Sequence, residues 1–237
     1  TERMLSAMGV SVESAGDTVT LTPPKRLNPV DIQVPADLSS AAFFLVAASI
    51  VPRSSVILQQ IGINPTRDGV LKILEMMGAN IRRLNPRMCG GEPVADLHVS
   101  GTKLKAVHVT DELVPLAIDE FPVLFVAASV AEGVSRFDGL AELRHKESDR
   151  IAAMPTGLRT LGVNVEEGPD WVEITGGTLT GGRVDSFHDH RIAMAFAVAG
   201  AVADDEVEVE RPENIATSFP DFQTLAAECG LSVEISQ

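Results

Sequence analysis

One feature constrains this chain more than any other: an almost wholly apolar, Ala-rich segment occurs three times, each time behind an aspartate. The copies are "DLSSAAFFLVAAS" (37–49), "DEFPVLFVAAS" (119–129) and "DHRIAMAFAVAG" (189–200). None carries a polar stripe, so a helix made from any of them has to be covered on every side. A second pattern follows at a fixed distance. "LKILEMMGANI" (71–81), "LRTLGVNVE" (158–166) and "LAAECGLSVEI" (225–235) read as the last turns of a helix closed by Gly78, Gly162 and Gly230, then a short alternating strand. Glycine suits the left-handed position that ends such a helix because it has no Cβ to clash. The distances Asp37 to Gly78, Asp119 to Gly162 and Asp189 to Gly230 are 41, 43 and 41 residues, which marks a repeat.

Between the two helices of each copy lies a strand with a turn: "SSVILQQIG" (54–62), "GVSRFDGL" (133–140) and "DEVEVERP" (205–212). Further strands, "ADLHVS" (95–100) and "DWVEIT" (170–175), end the first two copies. The unit is therefore βαβαββ, about 70 to 80 residues long, and the expected fold class is α/β (α+β) with buried helices inside the sheets.

A fourth helix ending, "MLSAMGVSV" (4–12), closes at Gly9 and has no apolar partner upstream, since Thr1 already stands at the start of that helix. Residues 1–34 are thus expected to be the remnant of a neighbouring domain plus a crossing linker, the proline-rich "TPPKRLNPVDIQVPAD" (22–37). Residues 35–237 are expected to form one three-repeat domain.

The charge balance excludes some functions. With 33 acidic against 19 basic residues the formal charge is −14, unsuited to a nucleic-acid partner. Local clusters, Arg82, Arg83 and Arg87, and Arg144, His145, Lys146 and Arg150, remain able to focus a small anion. Cys89 and Cys229 have no companion at ligand or redox spacing, which predicts free thiols in a reducing compartment. The longest apolar runs are about half the length of a membrane span, and no charged leader precedes an apolar signal, so the expected location is cytoplasmic with no membrane partner.

If the repeats superpose, the loops before equivalent helices meet at one rim. They bring Asp119 and Glu120, the run Lys146, Glu147 to Arg150, and Asp189, His190 and Arg191. Asp119 and Asp189 have a bland alternative as helix caps. Arg191 opens an otherwise apolar helix, where an arginine without an anion would be desolvated for nothing. Arg150, Arg191 and Lys146 with Asp119 and Glu147 suit a phosphate or carboxylate site beside acid/base groups. His98 and His108 lie on alternating strands without metal-ligand spacing, and "GGTLTGG" (176–182) and "RMCGG" (87–91) read as turns rather than a nucleotide loop.

"LRHKESDRIAAMPTGLRTLGVNVEEG", "IDEFPVLFVAA", "DSFHDHRIAMAFAV" and "NIATSFPDF" together closely resemble the carboxyl-terminal half of the 5-enolpyruvylshikimate-3-phosphate (EPSP) synthase family. The Lys-Glu-Ser-Asp-Arg segment sets it apart from the sister family acting on UDP-N-acetylglucosamine. "INPTR" (63–67) and "NPRMCGGEPVADL" (85–97) resemble the class II, often glyphosate-tolerant, bacterial branch.

The resemblance implies an enolpyruvyl transferase fold, an inverse α/β barrel in which βαβαββ units surround buried parallel helices. Two such domains close on substrates, so this chain would carry half of the cleft. It would lack a first strand that the family draws from the amino terminus, together with most of the other domain. The implied reaction moves the enolpyruvyl group of phosphoenolpyruvate to the 5-hydroxyl of shikimate 3-phosphate, with release of phosphate and no metal or organic cofactor. By the same resemblance Asp119 orients the shikimate hydroxyls and is base for the 5-hydroxyl, and Glu147 exchanges the proton at carbon 3. Lys146 touches shikimate 3-phosphate and the intermediate, and Arg150 and Arg191 clamp phosphoenolpyruvate. His190 and Asp189 stand at the edge of the site. Glyphosate is implied as an inhibitor. Thr217 departs from the lysine of class I enzymes at that position and has no catalytic role assigned. The alternative is a non-catalytic fragment or binding domain of the same fold, inactive without the missing amino-terminal half.

Overall fold

The computed structural model describes residues 1–234. In chain order the elements are α1 (Glu2–Ala7), β1 (Ser11–Ala15), β2 (Thr18–Thr22), α2 (Leu38–Ile50), β3 (Ser55–Gly62), α3 (Gly69–Met76), β4 (Asn80–Cys89) and β5 (Glu92–Ser100). There follow β6 (His108–Val109), α4 (Val114–Ala117), α5 (Phe121–Ser129), β7 (Val134–Phe137), α6 (Arg150–Thr160), β8 (Asn164–Glu167) and β9 (Val172–Thr175). The last are β10 (Gly182–Asp185), α7 (His190–Gly200), β11 (Val207–Glu210), α8 (Ile215–Ser218) and α9 (Phe222–Glu228).

The repeat is visible in the sheets. One sheet runs β6-β7-β9-β8, with β6 parallel to β7 and the other pairs antiparallel. Another runs β3-β5-β4, and a parallel bridge from Ala36 to Ile61 stands on β3 where β6 stands on β7. The third holds β10 parallel to β11. Each unit thus pairs its first and second strands in parallel across an intervening helix, as a crossover connection requires. Gly9, Gly78, Gly162 and Gly230 all take φ between +82° and +87°, so each closes its helix as the pattern predicts.

The three Ala-rich helices pack on one another, α2 against α5, α5 against α7 and α2 against α7. Every residue of α2 except Ser40 is buried, and so is every residue of α5. Small side chains let these helices approach closely, and phenylalanines fill what remains. Phe121, Phe125 and Phe137 stack edge to face in the second unit, and Phe43 and Phe44 meet Phe222 from the third. Gly157, inside α6, is required by close approach: a Cβ there would lie 2.2 Å from Cζ of Phe196 on α7.

Two expectations are corrected. The strand expected after Gly230 is not formed at Leu231–Glu234, and the rest of that segment lies outside the described residues. Nor is α7 covered on every side. Ala193, Ala197, Val207, Val209, Ile215 and Phe222 line a groove of about 870 Å³ beside β11. Among the described residues the second edge of β11 pairs with no strand, whereas the matching edges of β3 and β7 pair with β5 and β9. Leu231–Glu234 occupy the third-strand place of their unit. In the other units that strand bonds only to the fourth, and among the described residues no fourth strand stands beside this one.

Residues 1–22 form α1 packed on the β1-β2 hairpin, with no fully buried side chain except Val10. The connection to Ala36 has no regular element.

Candidate active site

The starts of α5, α6 and α7 converge, and the charged loops before them meet there. Asp149 caps α6, its carboxylate accepting from the backbone N–H of Ala152. Arg150 then follows as the first residue of the helix and is completely buried. Its Nε donates to Oδ2 of Asp189 at 2.8 Å and its Nη2 to Oδ1 of Asp189 at 3.3 Å, a two-pronged pair. Nη2 also reaches Oε2 of Glu147 at 2.6 Å, and Nη1 stands 3.6 Å from Oδ1 of Asp119 without a hydrogen-bond partner. A buried guanidinium with one unsatisfied nitrogen has donor capacity left for an anion.

Asp189 holds Arg150 and also caps α7, accepting from the N–H of Arg191 at 2.9 Å; Ser148 Oγ donates to it at 3.0 Å. The cap reading is therefore correct for Asp189, but it covers only part of what the residue does. The turn delivering it is strained. Phe187 and His188 both have left-handed backbones, φ +52° and +58°, which disfavours residues with a Cβ by roughly 1–3 kcal/mol each. Local bonds hold the turn: the Phe187 N–H donates to Asp185, the His188 N–H to Ser186, and the Asn214 amide to the His188 carbonyl.

Asp119 does not cap its helix. It precedes α5 by two positions, and its carboxylate faces Lys146 Nζ at 3.3 Å and the Arg150 guanidinium. Lys146 also pairs with Glu142 at 2.8 Å, so this lysine serves Asp119 rather than its neighbour Glu147. Arg191 Nη1 donates to the backbone carbonyl of Asp119 at 3.1 Å and lies 3.8 Å from Oε1 of Glu120. Glu147 is half exposed and touches the site through Arg150. His190, on the first turn of α7, is partly buried.

Electrostatics separates the two neighbouring carboxylates. Burial alone would raise the pKa of Asp119, but the charges of Arg191, Lys146 and Arg150 outweigh it and hold the group below its ordinary range. Burial pushes the Glu120 carboxyl up, and Ser39, Arg191 and Arg67 offset this only in part. Asp189 is likewise lowered, its burial overcome by Arg150, while burial and the adjacent Arg191 lower His190. Lys146 is raised, because Glu142 and Asp119 outweigh its burial.

Asp119, Lys146, Glu147, Arg150, Asp189 and Arg191 are thus brought together as the repeat argument expects. Glu120 and Ser148, which lie in the loops expected at this rim, join the cluster too; Ser39 and Arg67 also join it, and nothing in their local sequence signals that. Thr217 donates to the Asn214 carbonyl within its own short helix. His98 bonds Ser55 and His108 pairs with Asp138, and neither histidine hydrogen-bonds a residue of this cluster. Among the described residues, no three His, Cys, Asp or Glu side chains gather as a metal site, and no helix is long and apolar enough to cross a membrane. The arrangement can hold an anionic ligand against two arginines and a lysine, with an ionised carboxylate at its centre.

Residues 1–225 match the EPSP synthase (3-phosphoshikimate 1-carboxyvinyltransferase) family. The 3-phosphoshikimate 1-carboxyvinyltransferase of Xanthomonas axonopodis pv. citri is 53% identical over 234 residues, 99% of this chain and 53% of the relative. That of Halorhodospira halophila is 55% identical over 236 residues, 99% of this chain and 53% of the relative. The solved EPSP synthase of Acinetobacter baumannii superposes with a TM-score of 0.96 at 46% identity, over 100% of this chain and 55% of that one. The enolpyruvyl transferase NikO of Streptomyces tendae shares the fold, with a TM-score of 0.73 at 16% identity over 97% of this chain and 52% of that one. The chain spans about half the length of the curated relatives it matches. Matched along nearly its whole length, it belongs to the EPSP synthase (3-phosphoshikimate 1-carboxyvinyltransferase) family.

Proposed function

We propose that this chain supplies one wall of an active-site cleft that transfers the enolpyruvyl group of phosphoenolpyruvate to the 5-hydroxyl of shikimate 3-phosphate. The observation carrying this reading is the convergence of Arg150, Arg191 and Lys146 on Asp119, with Glu147 at the edge. Phosphoenolpyruvate has a carboxylate and a phosphate, and planar guanidinium forks suit both. Arg150 offers its unsatisfied Nη1, and Arg191 offers the part of its fork turned from Asp119.

Asp119, held ionised by its cations, orients the shikimate hydroxyls and accepts the proton of the 5-hydroxyl as that oxygen attacks carbon 2. Carbon 3 meanwhile takes a proton from Glu147, giving a tetrahedral intermediate. In the second step carbon 3 returns a proton to Glu147, the double bond between carbons 2 and 3 re-forms, the bond from carbon 2 to the phosphate oxygen breaks, and phosphate leaves with that electron pair and takes up the proton held by Asp119. Lys146 stabilises the negative oxygens of shikimate 3-phosphate and of the intermediate. His190 contributes to substrate binding from the first turn of α7. No metal or organic cofactor enters this scheme.

The other wall comes from the amino-terminal half present in the full-length relatives, with residues 1–34 the remnant of that neighbouring domain and 35–237 the three-repeat domain. The edge of β11 that pairs with no strand among the described residues supports the same division, because a strand from outside would complete the third sheet. "INPTR" and Thr217 support placement in the class II branch, with glyphosate as an inhibitor of the assembled enzyme. A second reading, a binding domain with no activity of its own, is favoured by the half-length match. The test is to assay the purified 237-residue chain with and without the amino-terminal half. We expect no turnover alone and turnover on addition, together with loss of phosphoenolpyruvate binding in R191A. Turnover by the chain alone, or none after addition, refutes this reading.

A further inference from the structure

Glu120 is a buried acidic residue that this mechanism does not use. It is only 5% exposed and stands at the cap position of α5, yet its side chain makes no bond to the free N–H groups of that helix. It reaches instead to the other two central helices. Its Oε1 accepts the hydroxyl of Ser39 in the first turn of α2 and lies 3.8 Å from Nη1 of Arg191 in the first turn of α7. Arg67, from the loop between β3 and α3, donates Nη2 to Ser39 Oγ at 2.8 Å. The chain of contacts Arg67, Ser39, Glu120, Arg191 thus ties together the starts of α2, α5 and α7, one from each unit. Its far end is the same Nη1 that donates to the Asp119 carbonyl.

Removing a carboxylate from water is unfavourable by several kcal/mol unless it is paired, so a capping role, which is absent, would not explain it. Fixing the direction of a neighbouring guanidinium does. We propose that Glu120 is a positioning residue: it holds Nη1 of Arg191 from behind, so that the rest of the fork faces the anion, while Arg67 acting through Ser39 keeps Glu120 in place. This rests on the assignment of Arg191 to the phosphoenolpyruvate site made above.

The test is calorimetric titration of phosphoenolpyruvate alone, and separately of shikimate 3-phosphate alone so that nothing turns over, into the full-length enzyme carrying this chain and its E120Q, R191A and E120Q/R191A variants. E120Q should weaken phosphoenolpyruvate binding on the order of tenfold to a hundredfold, the effect of misplacing a binding group by about 1 Å. The affinity for shikimate 3-phosphate should stay at the wild-type value. The double variant should bind as R191A alone does, since Glu120 acts through Arg191. S39A should shift binding in the same direction as E120Q, which carries the test should E120Q fail to fold. Wild-type phosphoenolpyruvate affinity in E120Q or S39A, or additive losses in the double variant, overturns the proposal while leaving the anion-site reading intact. Wild-type affinity in R191A overturns both.

Discussion

Replacing Arg150 by methionine isolates a fully buried ion pair, Arg150 with Asp189. The methionine stem fills much of the same space, so the loss is chiefly that of the charge. Of the carboxylates around Arg150, Glu147 is 51% and Asp119 35% exposed, and water re-solvates both when the arginine goes. Asp189 is completely buried and loses both of its hydrogen bonds to the guanidinium, keeping only Ser148 and the Arg191 N–H. Stranding one partner of a buried ion pair destabilises by about 3–5 kcal/mol, and here nearly all of that falls on Asp189. The assay is urea unfolding of R150M, D189N and R150M/D189N with the denaturant slope checked for constancy. We expect R150M to lose about 3–5 kcal/mol and the double variant to recover most of it, since the neutral amide needs no counter-charge.

The pH dependence gives an independent sign. In the wild type the Asp189 pKa is depressed, so its contribution is present above the unfolded value near 3.9 and is lost as pH falls through the folded value. In R150M burial without the arginine raises that pKa, and lowering the pH from neutrality should then restore stability rather than remove it. A loss under about 1 kcal/mol in R150M, or no recovery on adding D189N, would falsify the buried-pair account.

Two further outcomes are expected. Gly157→Ala should destabilise by about 1–3 kcal/mol, read as a drop in the urea midpoint, because its methyl would meet the Phe196 ring; a neutral result would mean that α6 and α7 are not packed as closely as the 2.2 Å approach requires. In the complete enzyme E147Q should slow solvent deuterium entry into the methylene carbon of phosphoenolpyruvate far more than D119N does, and the reverse order would exchange the roles given to the two carboxylates.

Much of this could be read without coordinates because it is local or periodic. The spacing of the Asp and Gly markers reports a repeat, and the absence of any polar stripe in 37–49 and 119–129 requires burial, which α2 and α5 bear out. The closing glycines follow from the sterics of the left-handed region alone. The position of Arg191 at the rim was legible because a charge opening an apolar helix has few other uses, and its guanidinium does meet Asp119 and Glu120 there. What stayed hidden depends on which residues meet across the repeats. The Arg150 to Asp189 pair spans 39 residues and the Ser39 to Glu120 bond 81, and no periodicity encodes a partner at such separations. Asp189 and Asp119 look alike in sequence, each standing just ahead of an apolar helix, yet one caps and anchors an arginine while the other faces Lys146 and the far side of the same guanidinium. The difference arises where the chain enters each helix: two left-handed residues aim Asp189 inward, whereas the short helix α4 leads directly into Asp119 and leaves Glu120 as the residue that turns into the core.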